Sequence, residues 1–355
     1  MGGTVERRYI IGWTDTTAGK VPKVATELTR ADRWGSFKAN WSIGRMKYTV
    51  DPGLYAIGNP DKASPVFVTA NYKLSFDSLR RELTGLDAWI MVLDTKGINV
   101  WCAAGKGTFG TQEILDRIER TRLGEVVSHR RLILPQLGAP GVAAHQVRKG
   151  SGFSVIYGPV RARDLRPFLD AGMVATPQMR RVRFSILDRL RQTRVEFVIS
   201  LKYLVLAASL FLLLAGLGRG GYSSASVLDV GFRSAGNLLL AYLGGVLVGP
   251  VLLPWLPGRA FSLKGLAAGL GMFVVSFLTG LAGHNPLEVV AWATLIPTIA
   301  SFLTMNFTGA STYTSLSGVK REMRVAVPLQ IAGGVVGVGI WLASRFVQTD
   351  LFKGM

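Results

Sequence analysis

The only cysteine of the chain, Cys102, lies in the segment Asn99-Val-Trp-Cys-Ala-Ala-Gly-Lys106, whose residue types suit the start of a helix. The side chain of Asn99 can accept a hydrogen bond from a backbone N–H two or three residues later, so it is a candidate N-cap residue. Cys102 would then occupy the first helical turn, where exposed N–H groups favour a thiolate. Lys106, four residues on, would strengthen this preference.

The residues that follow the cysteine are all small: Ala103, Ala104 and Gly105, and then Gly107 after the lysine. Small side chains let a large flat ligand lie close to a helix. A thiolate presented above such a ligand is a candidate axial ligand for the metal of a macrocycle.

A lone cysteine has two other interpretations. It can be a small buried hydrophobic residue, or it can be a nucleophile activated by a histidine. The candidate bases are His129 and His145, and the sequence places neither beside Cys102. A single cysteine also excludes an intramolecular disulfide and any iron–sulfur or zinc site held mainly by cysteines of this chain. Electrons for redox chemistry would therefore come from a partner.

The sequence from Tyr48 onward alternates strand and helix patterns. Strands are predicted at Val66–Ala70, Ala88–Leu93, 126–134 and 152–157. Helices are predicted from Ser75, as the N-cap residue, to Leu83, and at 111–122 and 163–171. The alternation predicts an α/β domain over residues 46–175, with a mostly parallel sheet covered on both faces. Residues 1–45 show no clear pattern and are assigned as an N-terminal extension.

Polar and turn-forming residues follow three of the predicted strands: Thr69 and Asn71, Pro135 and Gln136, and Gly158. Ligands of parallel sheets bind beyond the carboxyl ends of the strands, so these positions are candidate ligand contacts. Ordinary turn chemistry is the competing interpretation.

The C-terminal part of the chain contains five apolar stretches after a basic linker at 176–196. They lie near 197–217, 235–256, 263–283, 287–305 and 325–347. Each has about the 20 residues needed to cross a bilayer. The sequence therefore predicts an all-α transmembrane bundle of about five helices over residues 197–350. Few charges interrupt the stretches, and Glu288 is placed at an edge, which favours an anchor or docking platform over an ion pump.

The charge of the chain is unevenly distributed. The net charge is +19, and residues 1–196 contain 31 Lys/Arg and 18 Asp/Glu, against 10 and 4 in residues 197–355. The basic excess precedes the first apolar stretch and recurs after the second and the fourth. This predicts a multi-pass protein of the cytoplasmic membrane, with its α/β domain in the cytoplasm and its C-terminus outside. The same rule explains the basic character without a nucleic-acid partner.

The cysteine segment resembles the cap-helix motif of the corrinoid proteins of microbial mercury methylation. The resemblance continues through the segments 59–60, 65–72, 107–111, 134–141 and 157–160. The last of these also resemble the corrinoid domain of the corrinoid iron–sulfur protein of the acetyl-CoA pathway. The resemblance to the mercury-methylation proteins covers about residues 45–170 and the apolar C-terminal part of the chain.

The resemblance implies a Rossmann-like domain that binds a cobalamin-type corrinoid base-off, with Cys102 as the lower axial ligand of cobalt. The candidate contacts are Thr69, Asn71, Asn99, Val100, Trp101, Cys102, Ala103, Ala104, Gly105, Lys106, Gly107, Thr108, Pro135, Gln136 and Gly158. Trp101 is expected to pack on its helix rather than touch substrate.

The resemblance also implies a reaction. Cobalt would take a methyl group from a methyl-folate-type donor, and methylcobalt(III) would pass it to Hg(II). A ferredoxin-like partner with two 4Fe–4S clusters would reduce the cobalt again. The polar segment at 305–321 resembles a segment of the same family, and we expect it to dock the corrinoid domain or the ferredoxin.

Two alternatives stay open. One keeps the corrinoid but makes the protein a methyl carrier of one-carbon metabolism with another acceptor. The other is a membrane transporter with a regulatory α/β domain, which predicts charged residues within the apolar helices.

Overall fold

The structure is a computed structural model that describes residues 8–310 and 316–347. The chain forms two compact units that divide between Val182 and Arg183. The N-terminal unit is an α/β sheet domain, and the C-terminal unit is helical.

A seven-stranded sheet forms the centre of the N-terminal unit, in the order β1-β2-β3-β5-β4-β6-β7. Its strands are β1 Ile10–Thr16, β2 Gly19–Val24, β3 Gly53–Ile57, β4 Val66–Ala70, β5 Ala88–Leu93, β6 Arg131–Leu134 and β7 Ser154–Tyr157. β5, β4, β6 and β7 run parallel, β2 is parallel to β3, and the pairs β1/β2 and β3/β5 are antiparallel. The predicted mostly parallel sheet is confirmed.

Helices surround this sheet. They are α1 Arg30–Asn40, α2 Lys73–Glu82, α3 Val100–Lys106, α4 Thr111–Arg120, α5 Leu123–Val126, α6 Ala144–Ser151, α7 Leu165–Asp170 and α8 Pro177–Arg180. Single 3₁₀ turns occur at Arg45–Lys47, Gln136–Gly141 and Ala162–Asp164. The core consists of apolar side chains on both faces of the sheet, as expected for parallel strands covered on two sides.

Two of the strand predictions are confirmed at their bounds, and other predicted elements need correction. β4 and β5 match the predictions and are buried along their whole length. α2 begins at Lys73 after the N-cap residue Tyr72, so Ser75 is not its cap. The predicted strand 126–134 is reduced to β6, because the residues before it are tied to a loop instead: Ser128 N donates to Lys62 O.

Residues 10–40, for which the sequence predicted no element, form the β1/β2 hairpin and α1. The side chain of Thr29 caps α1 by accepting from Asp32 N, and the Asp32 carboxylate accepts from Thr29 N in return. β2 joins the hairpin to β3, and so to the main sheet. α1 also packs closely, since a Cβ on Gly35 would lie 2.6 Å from the Tyr48 ring.

A buried ionic cluster ties α1 to α2. Asp32 accepts from Lys73 Nζ at 2.6 Å and from Arg80 Nη2 at 2.9 Å, and Asp77 binds the same two cations. Burial alone would raise the pKa of Asp32. The hydrogen bond and charge of Lys73, with hydrogen bonds from Thr29, outweigh burial and lower the pKa to about 2. Two carboxylates and two cations balance, so the cluster can remain charged inside the protein.

In the described part of the C-terminal unit, five helices are long and apolar enough to cross a membrane. They are the first apolar helix, Ile186–Ala215, the second, Ser224–Val251, the third, Phe261–Leu278, the fourth, Pro286–Asn306, and the fifth, Leu316–Ser344. The first begins inside the predicted basic linker, because Ser185 and Asp188 form a reciprocal cap at its start. The linker prediction is therefore wrong for residues 186–196.

Glycines allow the third and fourth apolar helices to approach closely. A Cβ on Gly265 would lie 2.6 Å from Ala300 O, and one on Gly269 would lie 2.5 Å from Pro297 Cα. Small residues at a helix crossing are typical of helix pairs inside a membrane.

The expectation that the helices lack buried charge is wrong at two of the described positions. Arg189, in the first turn of the first apolar helix, is 3% exposed, and Glu288, in the first turn of the fourth, is 6% exposed. The Glu288 carboxylate binds Arg345 at 2.6 Å and Arg233 at 3.3 Å. Glu288 and Arg345 lie at helix ends, whereas Arg233 lies within the second apolar helix.

Candidate functional site

The Cys102 helix, α3, begins as the sequence predicts. Asn99 is its N-cap residue, and Asn99 Oδ1 accepts a hydrogen bond from Cys102 N at 2.9 Å. Cys102 is the third helical residue and is half-buried. The helix ends at Gly107, whose φ of 81° lies in the left-handed region that glycine adopts without strain. The backbone thus presents the cysteine in the first turn of a short, capped helix.

The two sides of α3 differ in their surroundings. Val100, Ala103 and Ala104 are buried against the domain. Gly105 and Lys106 are exposed, and a Cβ placed on Gly105 or Gly107 would meet no atom within 4 Å. Trp101 is 37% exposed, so most of its surface is covered by the protein. The Cys102 side of the helix therefore borders open space.

The 3₁₀ segment Gln136–Gly141 supports the buried side of α3. A Cβ on Gly141 would collide with the Phe109 carbonyl oxygen and lie 3.0 Å from Ala104 Cα. A Cβ on Gly138 would lie 2.5 Å from the Phe109 ring, which is fully buried. Gly141 thus lets this segment pack on the backbone of α3, and Gly138 lets it pack on the Phe109 ring.

Asn71, predicted as a ligand contact, organises the turn that leads into α3. Its Oδ1 accepts hydrogen bonds from Thr95 N at 3.1 Å, Thr95 Oγ1 at 2.8 Å and Gly97 N at 3.0 Å. Asn71 is buried, with 7% of its surface exposed to solvent. The amide oxygen of Asn71 is therefore engaged by the protein itself.

Glu113 holds the same turn from α4. Its Oε1 accepts from Asp94 N at 2.8 Å and pairs with Arg117 Nη2 at 2.7 Å. The spacing of Glu113 from Arg117, four residues on, is the sequence signal of such a pair on a helix.

The other predicted contacts lie at the carboxyl ends of the parallel strands. Thr69 is 3% exposed near the end of β4, and the described residues offer its hydroxyl no hydrogen-bond partner. Pro135 and Gln136 follow β6, and Gly158 N donates to Leu134 O at 2.8 Å where β7 ends. Because β4 to β7 are parallel, these residues and the turn before α3 lie at one edge of the sheet.

Buried polar atoms without a partner occur around this edge. Among the described residues, the Tyr72 hydroxyl, Thr108 Oγ1 and Gln136 Oε1 are inaccessible to solvent and make no hydrogen bond. Such atoms are costly unless a ligand or water satisfies them. Thr108 and Gln136 were predicted as contacts from the sequence.

Tyr72 was missed from the sequence. It is 3% exposed, and the guanidinium of Arg45 lies 5.4 Å from its ring centroid. Burial raises the pKa of the Tyr72 hydroxyl, the positive charge of Arg45 opposes this, and the charge of Cys102 adds to it. The position of Tyr72 directly after Thr69–Asn71, at a strand end, was the signal that could have identified it.

The histidines do not support a nucleophile interpretation of Cys102. His129 bonds Ser64 O through Nε2 at 2.9 Å, and its Nδ1 accepts from Arg131 N at 3.2 Å. It precedes β6, at the opposite edge of the sheet from Cys102. His145 is exposed on α6, and no hydrogen bond links it to Cys102 within the described ranges.

The N-terminal unit is similar to subunits of proteins named for acetyl-CoA metabolism. Residues 43–165 match the family of the CO dehydrogenase/acetyl-CoA synthase delta subunit. The chain is also similar to the gamma subunits of acetyl-CoA decarbonylase/synthase complexes. It is 33% identical over 128 residues to that of Archaeoglobus fulgidus and 34% identical over 128 residues to that of Methanopyrus kandleri. The gamma subunit of Methanocaldococcus jannaschii is 39% identical over 97 residues.

These similarities cover only part of each protein. The first two alignments include 36% of this chain and 27% of each relative, and the third includes 27% and 20%. The chain thus spans about a quarter of the length of the curated relatives it matches. The family match lies within the N-terminal unit and includes the whole of α3.

Proposed function

We propose that this chain is a membrane-anchored corrinoid protein that carries a methyl group on cobalt, with Cys102 as the lower axial ligand. One observation carries the proposal: α3, capped by Asn99, presents Cys102 beside open space in a region that matches an acetyl-CoA synthase subunit family. The corrinoid, when bound, would supply a cobalt centre that accepts and donates methyl groups.

The residues at the sheet edge fit such a cofactor. A corrinoid is large and flat, and its rim carries amide side chains that both donate and accept hydrogen bonds. The unpartnered Tyr72 hydroxyl, Thr108 Oγ1 and Gln136 Oε1 would find partners among those amides. We assign the same role to the Thr69 hydroxyl, while Ala103, Ala104 and Gly105 keep the helix narrow.

The protein would contribute one ligand to the metal, Cys102, which is held in a fixed position. The described residues contain no group of three or more His, Cys, Asp or Glu side chains suited to a metal ion. Asn99 and Asn71 would keep the thiolate in place, because one caps its helix and the other fixes the preceding turn.

Two methyl acceptors are compatible with this chemistry. The comparisons favour a carrier of one-carbon metabolism, since both the family and the relatives belong by name to acetyl-CoA synthesis. The segment Asn99–Lys106 favours Hg(II), because it resembles the cap helix of mercury-methylation proteins. The five apolar helices and the single cysteine agree with that second resemblance. We take Hg(II) as the acceptor to test first.

The placement and the partners follow from the same proposal. The apolar helices would span the cytoplasmic membrane, with the N-terminal unit in the cytoplasm and the C-terminus outside. A methyl-folate-type donor would supply the methyl group. A ferredoxin-like protein with two 4Fe–4S clusters would reduce the cobalt. The predicted docking segment at 305–321 lies partly outside the described residues, and its role stays a prediction.

Anaerobic reconstitution tests the proposal. The full chain is purified from cells supplied with cobalamin, and its visible spectrum is recorded. A bound corrinoid absorbs strongly, and a colourless protein that takes up no cobalamin would exclude the function. The loaded protein is then given a reductant, a methyl-folate donor and either Hg(II) or no metal. Methylmercury formation supports the first acceptor. Uptake of the donor's methyl group by the protein, with none passed to mercury when Hg(II) is added, supports the second.

A further inference from the structure

Residues 30–47 of the N-terminal unit expose aromatic and basic side chains, and we call this stretch the aromatic–basic segment. Trp34 and Phe37 on α1 are 60% and 48% exposed, and their rings stack 5.3 Å apart at 10°. In the turns that follow, Ile43 and Met46 are 56% and 65% exposed. Trp34 and Phe37 thus form an exposed aromatic pair, and Ile43 and Met46 add exposed apolar side chains further along the same segment.

The charges of this segment have one sign. It contains five cations, Arg30, Arg33, Lys38, Arg45 and Lys47, and one carboxylate, that of Asp32. Asp32 is turned inward and is paired with Lys73 and Arg80. The outer surface of the segment is therefore positively charged as well as aromatic.

The inner side of the segment is firmly held. Asp32 anchors α1 to the buried ionic cluster, and Gly35 lies directly on Tyr48. The exposed side chains thus stand on a rigid base. Exposed Trp and Phe beside Arg and Lys are typical of helices that lie in the headgroup region of an anionic bilayer.

We infer that the aromatic–basic segment binds the surface of an anionic membrane. A bilayer is the occupant that the chain itself indicates, because five of its described helices are long and apolar enough to cross one and the segment carries the charge that an anionic leaflet attracts. Lys and Arg near an anionic leaflet gain attraction from its negative surface potential, and Trp favours the interface between headgroups and acyl chains. The inference rests on the proposed membrane placement and not on the corrinoid.

The test measures lipid contact in the full chain. The single native cysteine is removed by Cys102→Ala, and an environment-sensitive thiol fluorophore is placed on Asn40→Cys, an exposed position in the last turn of α1. The protein is reconstituted in vesicles with or without phosphatidylglycerol that contain a lipid with a nitroxide near its headgroup. Quenching of the Asn40→Cys label in the anionic vesicles, and its loss at high salt, is the expected result.

Charge and aromatic variants sharpen the test. Replacing Arg30, Arg33 and Lys38 by Ser should weaken binding of the segment to the anionic bilayer roughly 100-fold. Each cation near an anionic surface contributes about a factor of five to the binding constant. Trp34→Ala should also reduce quenching. Trp13→Ala is its matched control, because Trp13 on β1 is 61% exposed and lies outside the segment.

Two further labels separate this inference from the membrane placement. A label on Leu206→Cys, 68% exposed in the first apolar helix, reports insertion through a nitroxide on the acyl chain. A label on Lys149→Cys in α6 reports non-specific quenching. If the Leu206→Cys label is quenched and the Asn40→Cys label is not, the membrane placement stands and the inference falls. Equal quenching of the Asn40→Cys label in neutral and anionic vesicles would also overturn it.

Discussion

Asn71 and Thr95 are joined by two hydrogen bonds, from Thr95 N at 3.1 Å and from Thr95 Oγ1 at 2.8 Å, both accepted by Asn71 Oδ1. Gly97 N donates to the same oxygen at 3.0 Å. One amide oxygen at the end of β4 therefore fixes the turn between β5 and α3. The position of Cys102 depends on this contact between neighbouring strand ends.

Asn71→Ala should destabilise the N-terminal unit by about 3 kcal/mol, because it leaves buried donors without an acceptor. Thermal unfolding of the purified chain measures the loss, and corrinoid retention should fall with it. Asn59→Ala is the matched control, because Asn59 is an exposed asparagine that follows β3. Equal effects of the two substitutions would contradict the role given to Asn71.

Asn99→Ala should loosen the Cys102 helix by about 1 kcal/mol, the usual cost of losing an N-cap. Hydrogen exchange of the amides of residues 100–106 should become faster, while exchange in the core strands stays slow. Asn99→Asp keeps an accepting side chain and should restore protection. Unchanged exchange in Asn99→Ala would show that packing alone holds this helix.

Two glycine substitutions should have opposite effects on the corrinoid-free protein. Gly141→Ala should destabilise it, because the new Cβ would meet backbone atoms of Phe109 and Ala104. Gly105→Ala meets no atom and should stabilise α3 by up to about 1 kcal/mol, since alanine is the better helix former.

The same Gly105→Ala variant tests where the cofactor lies. If the corrinoid packs on the exposed side of α3, the added methyl group should weaken its binding while the apoprotein is more stable. Binding of cobalamin is followed by its visible spectrum during titration. A variant that binds cobalamin as tightly as the unchanged chain would place the macrocycle away from Gly105.

The local features of the site could be predicted from the sequence. β4 and β5 are unbroken apolar runs, and the Asn99 cap needs only residues within four positions of each other. The convergence of Thr69, Gln136 and Gly158 at one edge follows from parallel strands. The strand-end positions of Asn71 and Tyr72 could be predicted, but their hydrogen-bonding states could not. Those states depend on which side chains a neighbouring segment brings close.

β1 and α1 could not be recognised from the sequence for a different reason. β1 alternates between exposed and half-buried residues, so it has no apolar face to recognise. α1 buries Asp32 and Ala39 and exposes Trp34 and Phe37, which reverses the usual pattern of an amphipathic helix. α1 is attached through Lys73. The sequence pattern does not indicate that this lysine is buried among carboxylates.

The buried ionic cluster predicts acid sensitivity of the N-terminal unit. The pKa of Asp32 is lowered from 3.8 to about 2, so its charged form stabilises the fold above the unfolded value. That stabilisation should be lost as the pH falls from about 4 to about 2, because protonation leaves Lys73 and Arg80 with one carboxylate fewer. Unfolding followed at a series of pH values across that window measures it.

Asp32→Asn should lower stability at neutral pH by about 3 kcal/mol and flatten the pH dependence between 4 and 2. Asp15→Asn, an exposed carboxylate on β1, serves as the control and should change neither. A pH dependence that survives Asp32→Asn would assign the acid sensitivity to other carboxylates.

X-ray absorption at the cobalt edge of the corrinoid-loaded chain tests whether Cys102 binds the cobalt. We expect a sulfur scatterer in the first coordination shell of the unchanged protein. In Cys102→Ala, loaded to the same cobalt content, that sulfur should be absent. A cobalt spectrum without sulfur in the unchanged protein, or an identical spectrum in the variant, would show that Cys102 is not the cobalt ligand.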